Sequence, residues 1–240
     1  PYSLRGSQDY IDMVNNKGGI DGVPINLLWA DVKMDAALAV AAYKKFKTEG
    51  CLIMSELSSS VLVAVKGLAE KDMIPQVGYA QGVDLYFPPT PTIWGMWGPN
   101  LTYSIATMDT FNKWWREKYN KNLKLGVIMW DNPYCVPSIP GYQAWAKANN
   151  VEIVSLDKVA VGTMDFKTEL TRAKNAGANA IHVNIVAPRS WAVVRDAAAL
   201  GMLPGLEIKP DTKEKIWRDG GISILMAQEA STPGEAYKLA

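Results

Sequence analysis

Three consecutive hydroxyls, Ser58, Ser59 and Ser60, stand between a short apolar run and a helical periodicity over 61–71. The first N–H groups of a helix lack intrahelical partners and carry the positive end of its dipole. Hydroxyls at that point add donors, so the pattern suits a carboxylate or another small anion. The same three residues also read as an ordinary serine cap. Downstream, Tyr79-Ala80-Gln81-Gly82 follows another apolar run, and its small residues would let a ligand approach backbone groups closely. Asp131-Asn132-Pro133-Tyr134 is turn chemistry as it stands. It also offers a carboxylate, Asp131, that could accept from an amine or hydroxyl. Its phenol, Tyr134, could donate to an acid. Asn184 ends the run Ile181-His182-Val183-Asn184 and is the pocket candidate there, whereas the alternation makes His182 a satisfied core histidine.

The candidate ligand-binding set is therefore Ser58, Ser59, Ser60, Tyr79, Ala80, Gly82, Asp131, Tyr134 and Asn184, with no catalytic and no metal residue. One histidine and two cysteines leave little for a metal site or a catalytic triad. Cys51 and Cys135 are expected to stay unpaired. The Gly-x-Ser-x-Gly elbow, the phosphate-binding Gly-Lys-Ser/Thr loop, the His-Glu-x-x-His pair and the Cys-x-x-Cys pair are all missing from the sequence. Gly18-Gly19-Ile20-Asp21-Gly22 precedes an apolar run instead of following one, so it is not a dinucleotide loop. No cofactor and no enzymatic activity is expected. Lys+Arg 25 against Asp+Glu 24 leaves a net charge of +1, which gives nucleic acid no basic surface to meet. With 48% hydrophobic and 20% charged residues the composition is that of a globular chain.

These residues depend on elements that alternate. Helical patterns are expected over 3–16, 34–48, 61–71, 103–119, 139–149 and 165–176, the last capped by Asp165, and from Pro188 to Leu200. Strand patterns are expected over 25–29, 51–54, 74–79, 125–130, 151–154 and 180–186, with a short extended piece near 93–99 and a further strand over 222–227. Alternation of this kind argues for parallel sheets with helices on both faces, and ligands in such sheets sit at the carboxyl ends of the strands. The Pro/Gly/Trp-rich stretch near 97–102 divides the pattern in two. The expected organisation is an N-terminal α/β lobe over 1–98, a C-terminal α/β lobe over 99–205, and a return segment over 206–240. Thr232-Pro233-Gly234-Glu235 reads as a capping box. Trp114 and Trp115 read as packing residues of a helix, while Trp94 and Trp97 fit either a wall or a crossover.

The segments Tyr10 to Gly22, Ile25 to Asp31, Leu57-Ser58-Ser59-Ser60, Lys71 to Pro75, Asp131 to Tyr134 and Arg195 to Gly201 together resemble the type I periplasmic solute-binding proteins of ABC transporters, the branched-chain amino acid-binding group. The resemblance covers about residues 2 to 203. It implies two Rossmann-like lobes with a hinge and a ligand cleft between them. It implies that Ser58, Ser59, Ala80 and Gly82 hold a ligand carboxylate and amine, that Tyr134 reaches in from the second lobe, and that a contact lies near Asn184. Gly82 stands where the family often has a hydroxyl. The family's acidic partner for a ligand ammonium falls beyond residue 205 and is not carried over. A first strand is expected before Tyr2, so the chain is expected to be truncated at both ends. The implied function is capture of a small carboxylate-bearing molecule, such as a branched-chain or aromatic amino acid. A membrane permease would be the partner. The implied location is periplasmic or extracellular, compatible with a lipid anchor on the precursor. A cytoplasmic amide or amino-acid sensor of the same fold and a Rossmann-type enzyme are the alternatives.

Overall fold

The computed structural model describes residues 2–56, 58–79, 82–186, 189–203, 205–208, 215–218 and 221–226. Its first part runs α1 (Tyr2–Asn16), α2 (Ala36–Thr48), β1 (Met54–Glu56), α3 (Ser59–Asp72), β2 (Gln76–Gly78) and β3 (Ile93–Gly95). The second part runs α4 (Asn100–Tyr119), β4 (Lys124–Trp130), α5 (Ile139–Ala148), β5 (Glu152–Val159), α6 (Lys167–Asn175), β6 (Ala180–Asn184) and α7 (Arg189–Ala199). It ends in β7 (Gly205–Ile208), β8 (Lys215–Arg218) and β9 (Ser223–Met226). The architecture is mixed α/β, with parallel sheets flanked by helices.

Two separate parallel sheets form. The first has the order β1-β2-β3, with Ser55 opposite Val77 and Val77 opposite Trp94. The second has the order β5-β4-β6-β9, every neighbouring pair parallel. A strand flanked by partners on both sides and covered by helices on both faces should be apolar throughout. β4 fits this: Leu125, Val127, Ile128 and Met129 are fully buried. Each such side chain contributes roughly 1.5–3 kcal/mol of transfer free energy. Around them Tyr142, Phe166, Leu170, Ile181, Val193 and Met202 complete one large core. The first sheet rests on smaller clusters, one of Tyr43, Met54, Val61, Val65 and Ala69, the other of Leu62, Leu85 and Ile93.

Several expected elements shift. The strand expected over 25–29 does not form, and no described strand pairs with it; the Ile25 N–H donates instead to Asn15 Oδ1 (2.7 Å), and Asn15 Nδ2 donates to the Ile25 carbonyl (2.9 Å). The strand expected over 51–54 starts only at Met54, where pairing with Gln76 begins, and Leu52 and Ile53 stay exposed. β5 extends to Val159, since the whole of β4 is available to pair with it. α6 is capped by Phe166 instead of Asp165; the Asp165 carboxylate accepts from the Lys167 N–H (3.0 Å). The antiparallel pair β7–β8 had no counterpart in the sequence pattern. The capping box over 232–235 lies outside the described residues.

Candidate functional site

Because all strands of each sheet are parallel, their carboxyl ends lie on one edge, and the exit residues are brought together by topology. In the first sheet β1 exits into Ser58, β2 into Tyr79 and β3 into Met96-Trp97. Ser58 takes an extended backbone (φ −118°, ψ 124°), and its carbonyl accepts from Val61 and Leu62 to start α3. Its hydroxyl makes no capping bond. Ser59 is buried, and its Oγ accepts from the Gly82 N–H at 3.1 Å. Ser60 is half-buried in the first turn of α3. Thus the exits of β1 and β2 are stapled to each other by a serine hydroxyl.

The requirement for glycine at 82 is steric. A Cβ there would collide with the Pro133 carbonyl and approach Asp84 Oδ1 to 2.9 Å. Pro133 belongs to the exit loop of β4, in the second sheet. The backbone of the β2 exit therefore presses directly on the backbone of the β4 exit. The adjoining one-turn 3-10 segments, Val83–Leu85 and Val136–Ser138, also meet. Asn132 shapes the β4 loop, its Oδ1 accepting from the backbone N–H groups of Tyr134 (3.2 Å) and Cys135 (3.1 Å). Tyr134 is half-buried against the large core.

The same loop reaches the exit of β6. Cys135 Sγ donates to the Asn184 carbonyl (3.2 Å), and burial pushes this thiol up to about 12. Asn184 is itself buried. It exchanges two amide bonds with Asn100, Asn100 Nδ2 to Asn184 Oδ1 at 2.8 Å and Asn184 Nδ2 to Asn100 Oδ1 at 2.7 Å. Asn184 Nδ2 also donates to the Tyr142 hydroxyl (2.7 Å), which donates to Ser104 (2.8 Å). Ser138 adds a bond to Asn100 Oδ1 at 3.3 Å. Both polar atoms of the Asn184 amide are thus used inside the protein. Asn100, Ser104, Ser138 and Tyr142 were not among the sequence candidates. Asn100 follows Gly98-Pro99, a pattern that in sequence looks like any turn before a helix.

Asp131 lies apart from this cluster. Its carboxylate takes Lys158 Nζ at 3.2 Å on the exposed flank of β5. Ala80 lies outside the described residues. Tyr79 packs at a tilt against Trp97, ring centroids 5.6 Å apart at 51°, and its carbonyl accepts from the Tyr86 hydroxyl at 3.0 Å. Glu56, the last residue of β1, is half-buried, and burial lifts its carboxyl to about 7.

His182 is core, as its alternation with Asn184 implies, with its ring edge-on to Tyr142 at 5.5 Å. Burial drives its pKa down to about 4, with the Leu225 backbone opposing. Cys51 and Cys135 are free thiols. Trp115 packs on the large core, while Trp114 lies on the surface in a ring cluster with Phe111 and Tyr119.

Two broad surface depressions, of about 510 and 620 Å³, lie along α5 and β5 and between α4 and Leu225. None of the exit residues lines either one, and the convergence of polar exits marks the site more specifically than these open flanks do. Among the described residues no group of three His, Cys, Asp or Glu side chains could hold a metal ion. No described helix is long and apolar enough to cross a membrane.

Residues 1–208 match the family described as periplasmic binding protein. Among curated proteins none matches. Solved structures match over most of this chain. One is the solute-binding protein of an ABC transporter from Rhodopseudomonas palustris BisB5 in complex with 3,4-dihydroxybenzoic acid. It is 18% identical, with a TM-score of 0.71, covering 92% of this chain and 56% of that one. A second is the branched-chain amino acid ABC transporter protein from Thermus thermophilus with bound valine (20% identity, TM-score 0.72, 80% and 50% coverage). A third is the fatty acid ABC transporter substrate-binding protein from Thermomonospora curvata (20% identity, TM-score 0.76, 96% and 54% coverage). The chain spans about half the length of these structures, and at such identities they speak for the fold alone. With the family match extending from residue 1 through β7, the chain belongs to the periplasmic binding protein family.

Proposed function

We propose that this chain serves as the ligand-capturing part of an exported solute receptor for an ABC importer. In this reading it takes up a small carboxylate-bearing molecule at the meeting point of the strand exits. The observation that carries it is the Ser59–Gly82–Pro133 contact, which joins the exits of two different parallel sheets at one place. A solute receptor needs such convergence, because a ligand touching both halves favours the closed arrangement over the open one. The free Ser58 capping position and the N-terminus of α3 supply donors for the acid. In this reading Ser60, Ala80 and Gly82 add contacts beside them, and Tyr134 contributes from the other half. Asn184 acts by holding the β6 exit in place, since its amide is already engaged. The division into lobes falls near residues 98 and 99, where a single crossover joins β3 to α4. Closed receptor would then dock on a membrane permease.

The relatives' ligands, an aromatic acid, valine and fatty acid, share a carboxylate, which supports that class for this chain. The test is calorimetric titration of the protein with benzoate, valine and octanoate, beside Ser58→Ala and Tyr134→Ala. Binding of at least one acid, weakened about tenfold or more in both variants, is the expected result. Absence of binding by every acid, or undiminished affinity in both variants, rejects the reading.

A further inference from the structure

Trp97 and Tyr79 form a ring pair at the same carboxyl edge as the serines. β1, β2 and β3 are adjacent and parallel, so Ser58, Tyr79 and Trp97 leave the sheet side by side. Tyr79 and Trp97 tilt against one another at 5.6 Å. The indole is nonetheless 53% exposed, although it follows a strand whose first residue, Ile93, is buried. An indole tilted against one neighbour and about half exposed leaves apolar surface wet, which is unfavourable unless something else covers it. Trp114, the comparable exposed indole of the second part, sits in a cluster with Phe111, Trp115 and Tyr119 and under Lys118, far along α4 from any strand exit. Trp97 instead leaves β3 at the same carboxyl edge from which β1 leads into the start of α3, with the β2 exit between them.

We infer that Trp97 is a specificity-determining residue of the ligand site: its ring, braced by Tyr79, covers the flat body of an aromatic carboxylate whose acid group lies at the start of α3. The inference rests on the proposed solute-receptor reading and narrows its ligand class. A planar ring matches the indole over its whole face with little loss of internal freedom. A branched aliphatic side chain presents only methyl edges and gains less. Bracing matters as well, because a ring fixed by a neighbour loses little entropy when the ligand arrives.

The experiment is titration of benzoate and of valine into the wild-type protein, Trp97→Ala, Trp97→Phe and Ser58→Ala. The wild type should bind benzoate at least tenfold more tightly than valine. Trp97→Ala should weaken benzoate about tenfold and valine by less than threefold, while Trp97→Phe restores most of the benzoate affinity. Ser58→Ala should weaken both acids. Unchanged benzoate affinity in Trp97→Ala alongside a loss in Ser58→Ala overturns the role of Trp97 and leaves the receptor reading standing. Valine binding as tightly as benzoate overturns the aromatic ligand class. Failure of both acids to bind the wild type removes the receptor reading and this inference together. Because Trp97 is half exposed, both substitutions should keep the native circular dichroism spectrum, which is recorded for each variant.

Discussion

Asn100 and Asn184, 84 positions apart in the chain, face each other as a closed amide pair with bonds of 2.7 and 2.8 Å. Asn100 is the first residue of α4, immediately after the crossover from the first sheet. Asn184 is the last residue of β6. The pair fixes where the crossover enters the second core, and Tyr142, Ser104 and Ser138 complete it. Low local dielectric makes such a network strong when complete and costly when broken.

Asn184→Ala should therefore destabilise the protein by about 1–3 kcal/mol, because Asn100 and Tyr142 lose a buried partner. Urea denaturation at neutral pH measures this. A change below about 0.5 kcal/mol would show that water replaces the missing amide without cost.

Gly82→Ala tests the contact between the two exits. The added Cβ meets the Pro133 carbonyl and Asp84, so one loop must move. Overpacking of this kind typically costs about 1–3 kcal/mol. The melting temperature should fall by roughly 2–4 °C for each kcal/mol in a chain of this size. A melting temperature equal to that of the wild type would mean that the two loops separate freely.

His182 and Glu56 act in opposite directions on the pH dependence of stability. His182 has its folded pKa lowered to about 4 from 6.5, so the unfolded chain binds the extra proton between those values and stability falls as pH drops through that window. The full effect is roughly 3 kcal/mol at 1.36 kcal/mol per unit. Glu56 is raised to about 7 from 4.5, so the folded state holds the extra proton and stability falls as pH rises from 4.5 to 7. His182→Phe should flatten the loss on the acid side, and Glu56→Gln should flatten the loss towards neutrality. Urea midpoints at pH 4, 5.5 and 7 for the two variants separate these slopes, and parallel curves for wild type and variant would contradict the assignment.

Cys135 should be inert to thiol reagents in the folded protein, since it is buried, bonded to the Asn184 carbonyl and held near 12. Ellman's reagent should label Cys51 alone under native conditions and both thiols in denaturant. Rapid native labelling of two thiols per chain would show that the β4 exit loop opens readily.

The alternation of apolar runs and amphipathic segments was enough to read the α/β class and most helices, because burial on both faces of a parallel strand imposes an apolar run wherever the strand forms. Leu125 to Trp130 could hardly have been read otherwise. The run Ile25 to Trp29 shows the limit: its side chains suit a strand, but a strand exists only where a neighbour supplies hydrogen bonds, and here Asn15 supplies them instead. For the site, residue types at strand ends were legible as candidates, since the rule that ligands gather at carboxyl ends needs only the order of elements. Direction and occupancy were not. That Ser59 is used to hold Gly82, that Asp131 turns away to Lys158, and that Asn184 is closed off by Asn100 depend on contacts between residues far apart in the chain. Such contacts follow from how the two sheets and their helices pack in three dimensions, and local pattern carries no record of them.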